Sequence, residues 1–245
     1  HSQYTVEKYK VGLTGKHRFV EDPKFNFKKP VFKKGIKLPK ASTNARASDY
    51  LKKRKLNPIE FFYADKFKHF CNTIKPTFES TKNDHARIVI PMYDENKELI
   101  GFQGRSLDAY VIPKYLTVML SENSPKVYGL DRINQEKPVY IVEGPFDSTF
   151  VENSVAMCGS DVDIRTFGWG NYIWVFDNEP RNRENIGRVS KTIDRGDKVV
   201  IWPSEISEKD INDMILAGRN VQTVLESNTY SGLEAKLKLQ TWKRV

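Results

Sequence analysis

The chain has 245 residues, 39% hydrophobic and 12% aromatic, with a formal net charge of +9 at pH 7. Those figures describe a folded globular protein with room for one large domain or two small ones, and they argue against intrinsic disorder. No apolar run approaches the ~20 residues that cross a bilayer, and two isolated cysteines, Cys71 and Cys158, argue against a disulfide scaffold or a cysteine zinc site within the chain.

The charge is unevenly placed. Residues 1–85 carry 20 Lys and Arg against 8 Asp and Glu, whereas the rest carry 20 against 23. A basic first third joined to a mildly acidic remainder suggests two tasks, holding a polyanion and gathering carboxylates around a metal. The first residue is His1 and no signal-peptide apolar region follows it. The expectation is a fragment or trimmed chain working in a reducing, intracellular compartment.

Residues 1–40 lack periodicity and interleave Phe25, Phe27 and Phe32 with lysines and prolines. They read as an extended basic arm along nucleic acid or another surface, or as a plain linker. A short amphipathic helix is expected from Ala47, capped by Ser48 or Asp49, carrying Leu51, Leu56 and the basic run Lys52 to Lys55. Ile59, Phe61, Phe62, Phe67 and Phe70 then read as core material rather than base-stacking platforms.

Arg87 to Tyr93 and Leu99 to Arg105 read as a hairpin around the turn Asp94 to Lys97. Gly101 and Gly104 flank Gln103, which suggests backbone that a ligand can approach closely. Lys114 beside Tyr115 and Lys126 near Tyr128 follow, so Arg105, Lys114 and Lys126 are expected to form a phosphate-binding ridge.

Val139 to Val142 is a buried-type strand that ends on Glu143-Gly144-Pro145-Phe146-Asp147. A helix is expected over Ser148 to Asn153, and a strand over Ser154 to Gly159. A strand over Tyr172 to Phe176 ends on Asp177-Asn178-Glu179. A basic helix with Arg181, Arg183, Arg188 and Lys191 follows it. The last strand of this run, Lys198 to Pro203, leads to a capped helix start at Ser207 to Met214, which holds Asp210 and Asp213. The final 25 or so residues read as a basic helix with Leu233, Leu237 and Leu239 turned inward. Strands alternating with helices at this spacing argue for a parallel sheet with helices on both faces.

In such a sheet ligands bind at the carboxyl ends of the strands. Glu143, Asp177 with Glu179, and Asp210 with Asp213 would all meet on that rim. Like charges that close require a cation, and oxygen donors without His or Cys point to magnesium or manganese. Rims of this kind serve phosphoryl transfer by two metals.

The arrangement resembles the TOPRIM domain shared by DnaG-type primases, type IA and type II topoisomerases and some nucleases. The matching residues are Glu143-Gly144 after one strand and Asp177-x-Glu179 after the next long one, where the family more usually has Asp-x-Asp. The run from Ile90-Pro91 through Gly101-Phe102-Gln103-Gly104-Arg105, Pro113-Lys114-Tyr115 and Tyr128-Gly129-Leu130 is similar to the first half of the primase polymerase core, which topoisomerases lack. Val142 to Ser148, Val175 to Arg181 and Lys209 to Ile215 look closest to primases of T-even-type bacteriophages.

The resemblance implies an α/β fold: a TOPRIM Rossmann-like sheet preceded by a smaller α+β subdomain. The implied divisions are an arm at 1–40, the primase N-terminal subdomain at 41–135, the metal-binding subdomain at 136–218 and a helical segment at 219–245. It implies Asp177, Glu179 and Asp210 as metal ligands and Asp213 as a further one. Glu143 would be ligand or acid–base residue, and Asp147 would support the cluster. Arg105, Lys114, Tyr115 and Lys126 would face template or nucleotide. The implied function is the synthesis of short RNA primers from ribonucleoside triphosphates on single-stranded DNA, beside a replicative helicase in the cytoplasm of a bacterial host and away from any membrane. Zinc is implied only for a separate N-terminal domain. Two alternatives are a TOPRIM nuclease and a non-catalytic single-strand-binding module.

Overall fold

A computed structural model describes residues 36–159 and 162–245. Most of the expected basic arm therefore lies outside the described residues.

The described chain opens on α1 (Ala45–Lys53), capped by Asn44, whose side chain accepts from the Ala47 amide at 3.0 Å. The cap thus falls four residues before Ser48, because Asn44 has the extended backbone a cap needs and Ser48 is already inside the helix. Leu56 packs from beyond the helix end, after Lys55 turns left-handed at φ 58°. Next come β1 (Phe62–Ala64), α2 (Phe67–Ile74), β2 (Arg87–Tyr93), β3 (Leu99–Ser106) and β4 (Tyr115–Met119). The four strands form an antiparallel sheet in the order β1-β2-β3-β4. The expected hairpin is present, its turn tied by the Asp94 carboxylate accepting from the Asn96 and Glu98 amides.

Both faces of this sheet are covered, so β2 is buried almost throughout. Ile88 and Ile90 pack with Leu51, Phe61 and Phe146, while Phe67 and Phe70 pack edge-on or tilted against Phe102 from the other side. Ile59 was expected in this core and is instead 61% exposed, since it sits in the turn before β1. Gly104 is small for packing rather than for ligand approach. A Cβ there would lie 2.5 Å from the Phe67 ring, and one at Gly101 would meet the Val118 carbonyl at 2.7 Å. Gly104→Ala is therefore expected to destabilise the protein by about 1–3 kcal/mol in a denaturant titration, as overpacked cores do. The loss should shrink in a Phe67→Leu background, where the ring is gone.

The second sheet is built from β5 (Val127–Tyr128), β6 (Val139–Val142), β7 (Ser154–Met157), β8 (Tyr172–Trp174), β9 (Lys198–Val200) and β10 (Thr229–Tyr230). Its order is β10-β9-β8-β6-β7-β5. The four inner strands run parallel, and the outer two are antiparallel. β5 thus pairs with β7 as an edge of this sheet, although its residues fall in the stretch expected to belong with the first subdomain.

Its helices are α3 (Pro145–Ser148), α4 (Arg183–Asp194), α5 (Ile211–Leu216), α6 (Val221–Ser227) and α7 (Gly232–Trp242). Strand alternation divides β6 between two cores. Tyr140 and Val142 pack with Val189 and Ile193 of α4, Met214 of α5, Leu225 of α6 and Leu239 of α7. Val139 and Ile141 pack with Val155 and with Met92 and Ile100 of the first sheet. The helix expected over Ser148 to Asn153 is instead the single turn α3, because Pro145 supplies a favourable first helical position. In α7 the inward residues are Ala235, Leu239 and Trp242. Leu233 and Leu237, expected inside, are 73% and 61% exposed, one helical face round from the buried set.

Candidate functional site

Consecutive parallel strands β6, β7 and β8 place β7 on one side of β6 and β8 on the other. That reversal of direction opens a crevice at the carboxyl ends of β6 and β8, where an open α/β sheet binds its ligands. Glu143 leaves the end of β6 and Asp177 lies three residues beyond β8. Asp210 arrives from the connection after β9, as the cap of α5, its carboxylate accepting from the Asp213 amide at 2.8 Å. Glu143, Asp147, Asp177 and Asp210 line one small pocket with Val142, Phe176 and Trp202. Asp147 folds back over Gly144, where a Cβ would stand 2.7 Å from its Oδ2. The glycine after Glu143 thus leaves room for the second acid.

Two expected residues stand apart from that pocket. Glu179 turns toward Lys209, whose Nζ lies 3.0 Å from its Oε1. Asp213 is exposed on the first turn of α5.

The electrostatics follow from this crowding. Burial, then the Asp210 charge, pushes the Asp147 carboxyl up to about 7. Burial, then Glu143, Asp147 and Asp210, raises Asp177 to about 7 as well. Two cations answer two of the acids: Lys209 at Glu179, and Arg188 of α4, whose Nη1 donates to Glu143 Oε1 at 2.6 Å. With Glu143 and Glu179 drawn to cations and Asp210 capping α5, no three of the acids close on one point among the described residues tightly enough to grip an ion. Their chemistry nevertheless suits a hard divalent cation. The pocket offers carboxylate oxygens and no His or Cys, and its acids repel one another. Asn185 adds a buried Oδ1 without a hydrogen-bond donor, while its Nδ2 donates to the Asp177 carbonyl at 2.7 Å.

Several residues that hold the rim gave no signal in the sequence. Asn178, between the two acids of the second strand tip, donates its amide to the Lys209 carbonyl at 2.7 Å and its Nδ2 to the Ile206 and Glu208 carbonyls. It so ties the second acidic loop to the third. Asn212 is buried; its amide donates to Asp147 Oδ1 at 3.1 Å, its Nδ2 donates to the Arg54 carbonyl, and its Oδ1 accepts from Arg54 Nη1. A single asparagine thus couples α1, the third strand tip and Asp147. Asparagines in loops are too common for their sequence position to mark these roles.

On the first sheet, Arg105 and Tyr115 are cross-strand partners, and the Arg105 guanidinium lies 4.6 Å from the Tyr115 ring centre. Arg105 Nε donates to the Tyr50 hydroxyl at 3.1 Å. At 9% exposure Arg105 is a buried cation among phenols, not part of a solvent-facing ridge. Burial raises the Tyr115 phenol to about 12, with Arg105 opposing and the Asp147 charge adding to the rise, so this cluster lies within electrostatic reach of the acid rim. Lys114 is exposed immediately before β4. Its carbonyl, with those of Pro113 and Gly104, accepts from the buried Arg87 guanidinium, which fixes the loop that carries it. Lys126 stands elsewhere, at the head of β5 in the second sheet, its carbonyl accepting from the Cys158 amide.

No protein-family model matches the chain. It is 31% identical over 246 residues to the DNA primase of Enterobacteria phage T4, across 94% of this chain and 72% of that one. Among solved structures, the zinc-binding and RNA polymerase domains of the Aquifex aeolicus primase match with a TM-score of 0.55 at 19% identity. That match covers 81% of this chain but only 56% of the two-domain relative. A DnaG primase catalytic domain bound to single-stranded DNA matches with a TM-score of 0.55 at 18% identity, over 75% of this chain and 72% of that one. At such identities the structures show a shared fold.

Proposed function

The chain belongs to the DNA primase family, and on that premise we propose that it is an RNA-polymerising core, making short RNA primers on single-stranded DNA from ribonucleoside triphosphates by divalent-metal-dependent nucleotidyl transfer. The observation that carries this is the meeting of Glu143, Asp147, Asp177 and Asp210 on one pocket at the strand ends. Glu143, Asp177, Glu179 and Asp210 would hold magnesium or manganese, with Asp213 at the outer edge. Bound there, the metal supplies positive charge that favours the attacking hydroxylate and stabilises the leaving pyrophosphate.

The residues of the chain do the positioning. Asp147, oriented by the Asn212 amide and given room by Gly144, supports the cluster from within the pocket. Glu143, at the end of β6 and partly open to solvent, serves as ligand or as acid–base residue. Lys114 and Lys126 contact the phosphates of template or nucleotide. Tyr115, with the Arg105 guanidinium over its ring, borders the path between them and the acids. The wider setting proposed is a replicative helicase as partner and the cytoplasm of a bacterial host as location. No helix among the described residues is long and apolar enough to cross a membrane.

The test is an incubation of the protein with single-stranded DNA and magnesium, with and without ribonucleotides. Ribonucleotide-dependent extension products support the reading. Cleavage of the DNA irrespective of ribonucleotides would assign the same acids to hydrolysis instead.

A further inference from the structure

Helix α4 carries a cation whose place the primase reading leaves unexplained. Arg188 reaches across from that helix to Glu143, Nη1 to Oε1 at 2.6 Å. Its guanidinium also lies 4.8 Å from the ring centre of Phe176, the residue immediately before Asp177. Glu143 and Phe176 border two spaces at once. One is the acid pocket; the other is a cavity of about 810 Å³ whose wall includes Trp174, Arg188, Lys191 and Arg195. That volume lies in the range of small-molecule sites. Trp174 and Phe176 stack within it, centroids 5.7 Å apart and planes 4° from parallel. The Arg188–Glu143 pair therefore stands between a cluster of acids and a roomy recess lined by aromatic rings and by charges of both signs, Arg165, Lys191 and Arg195 with Asp163, Glu184 and Asp197.

We propose that Arg188 is a nucleotide-binding residue that is exchanged: it occupies Glu143 until a divalent cation takes that carboxylate, and then it turns to the triphosphate of the incoming nucleotide. The inference rests on the primase reading of the acid rim.

Three physical features favour the exchange. The pair is half exposed, 46% at Arg188 and 28% at Glu143, and ion pairs in that setting contribute little to stability. A dication therefore displaces the guanidinium from Glu143 readily. Phe176 keeps the guanidinium at the rim after it is released, because the cation–ring contact does not involve Glu143. The planar fork of Arg188 then matches two phosphate oxygens, which the compact ammonium of a lysine does not. Nothing in the stability of the fold requires the pair, since Val189 and Ile193, not Arg188, anchor α4 in the core.

Calorimetric titration of manganese chloride alone into the wild-type chain, Arg188→Ala and Arg188→Lys tests this without turnover. The alanine variant loses the competitor for Glu143 and should bind manganese about fivefold more tightly. At saturating manganese it should bind ATP about tenfold more weakly, having lost a charge-assisted contact. The lysine variant should fall between the two on both measures, and thermal midpoints should stay within about 2 °C, as for surface substitutions. Unchanged manganese affinity, or unchanged ATP affinity, in the alanine variant overturns the exchange. A wild-type chain that binds no manganese overturns the metal-site reading beneath it, which separates the two failures. If the alanine variant does not fold, the lysine variant decides by the same two affinities.

Discussion

Asp177→Ala is expected to lower primer synthesis by about 10³-fold or more, the scale at which a preorganised charge at the reacting centre is lost. Single-stranded DNA binding should stay within about twofold, because the proposed phosphate contacts of Lys114 and Lys126 lie on other elements. The loop should keep its shape without the carboxylate. Its main chain is held at the Asp177 carbonyl, which accepts from Asn185 Nδ2 at 2.7 Å and from the Glu179 amide at 2.8 Å. The substitution also removes one of several mutually repelling acids. In metal-free buffer at pH 8 the variant should therefore melt no lower than wild type. Primer synthesis at the wild-type level by Asp177→Ala would refute the assignment of the rim. A large fall in melting temperature would instead make Asp177 a structural residue.

The second large effect is a stability that falls with rising pH and is restored by divalent ions. Burial and repulsion among the rim acids raise Asp147 and Asp177 in the folded protein to about 7, above the 3.8 of a free aspartate. A carboxyl raised on folding binds its proton more tightly in the native state than in the unfolded one. Its contribution is fully present below pH 3.8 and is lost as pH climbs through about 7. Each pKa unit is worth about 1.4 kcal/mol, and because the two acids repel each other, ionisation of the second carries most of the cost. In chelator the protein should thus lose on the order of 3 kcal/mol between pH 5 and pH 8, read as denaturation midpoints. Millimolar magnesium should recover much of this at pH 8 and little at pH 5, where protons already neutralise the acids. Asp147→Asn keeps an oxygen to accept from the Asn212 amide and should flatten the pH slope. A melting temperature in chelator that rises from pH 5 to pH 8 would contradict this account of the rim.

The acids were legible in sequence because strand tips are. Val139 to Val142 and Tyr172 to Trp174 announce themselves by β-branched and aromatic residues, and the glycine and proline after Glu143 mark where the first stops. The four-stranded antiparallel sheet was less legible as a whole, though its hairpin was plain from Arg87 to Arg105. The glycines of that hairpin misled. Gly101 and Gly104 carry the same letters whether a ligand or the protein's own atoms lie above them, and here the Val118 carbonyl and the Phe67 ring do. Arg105 was no clearer, since a basic residue after a glycine gives no sign that Tyr50 and Tyr115 will enclose it.

The sequence by itself determined the hairpin of the first sheet, the alternation of parallel strands and helices in the second, the three acidic strand tips and the family resemblance, all of which rest on local periodicity and short motifs. Only the tertiary structure decided which acids share a pocket. Asp147 joined Glu143, Asp177 and Asp210 there, while Glu179 turned to Lys209 and Asp213 stayed exposed. It alone revealed Asn178, Asn185 and Asn212 as the braces between loops, and Arg188 as the partner of Glu143. The physical reason is range. Periodicity is written by neighbours three or four residues apart, whereas Arg188 and Glu143 are separated by 45 residues and Asn212 and Arg54 by 158, and such pairs exist only once the sheets have packed.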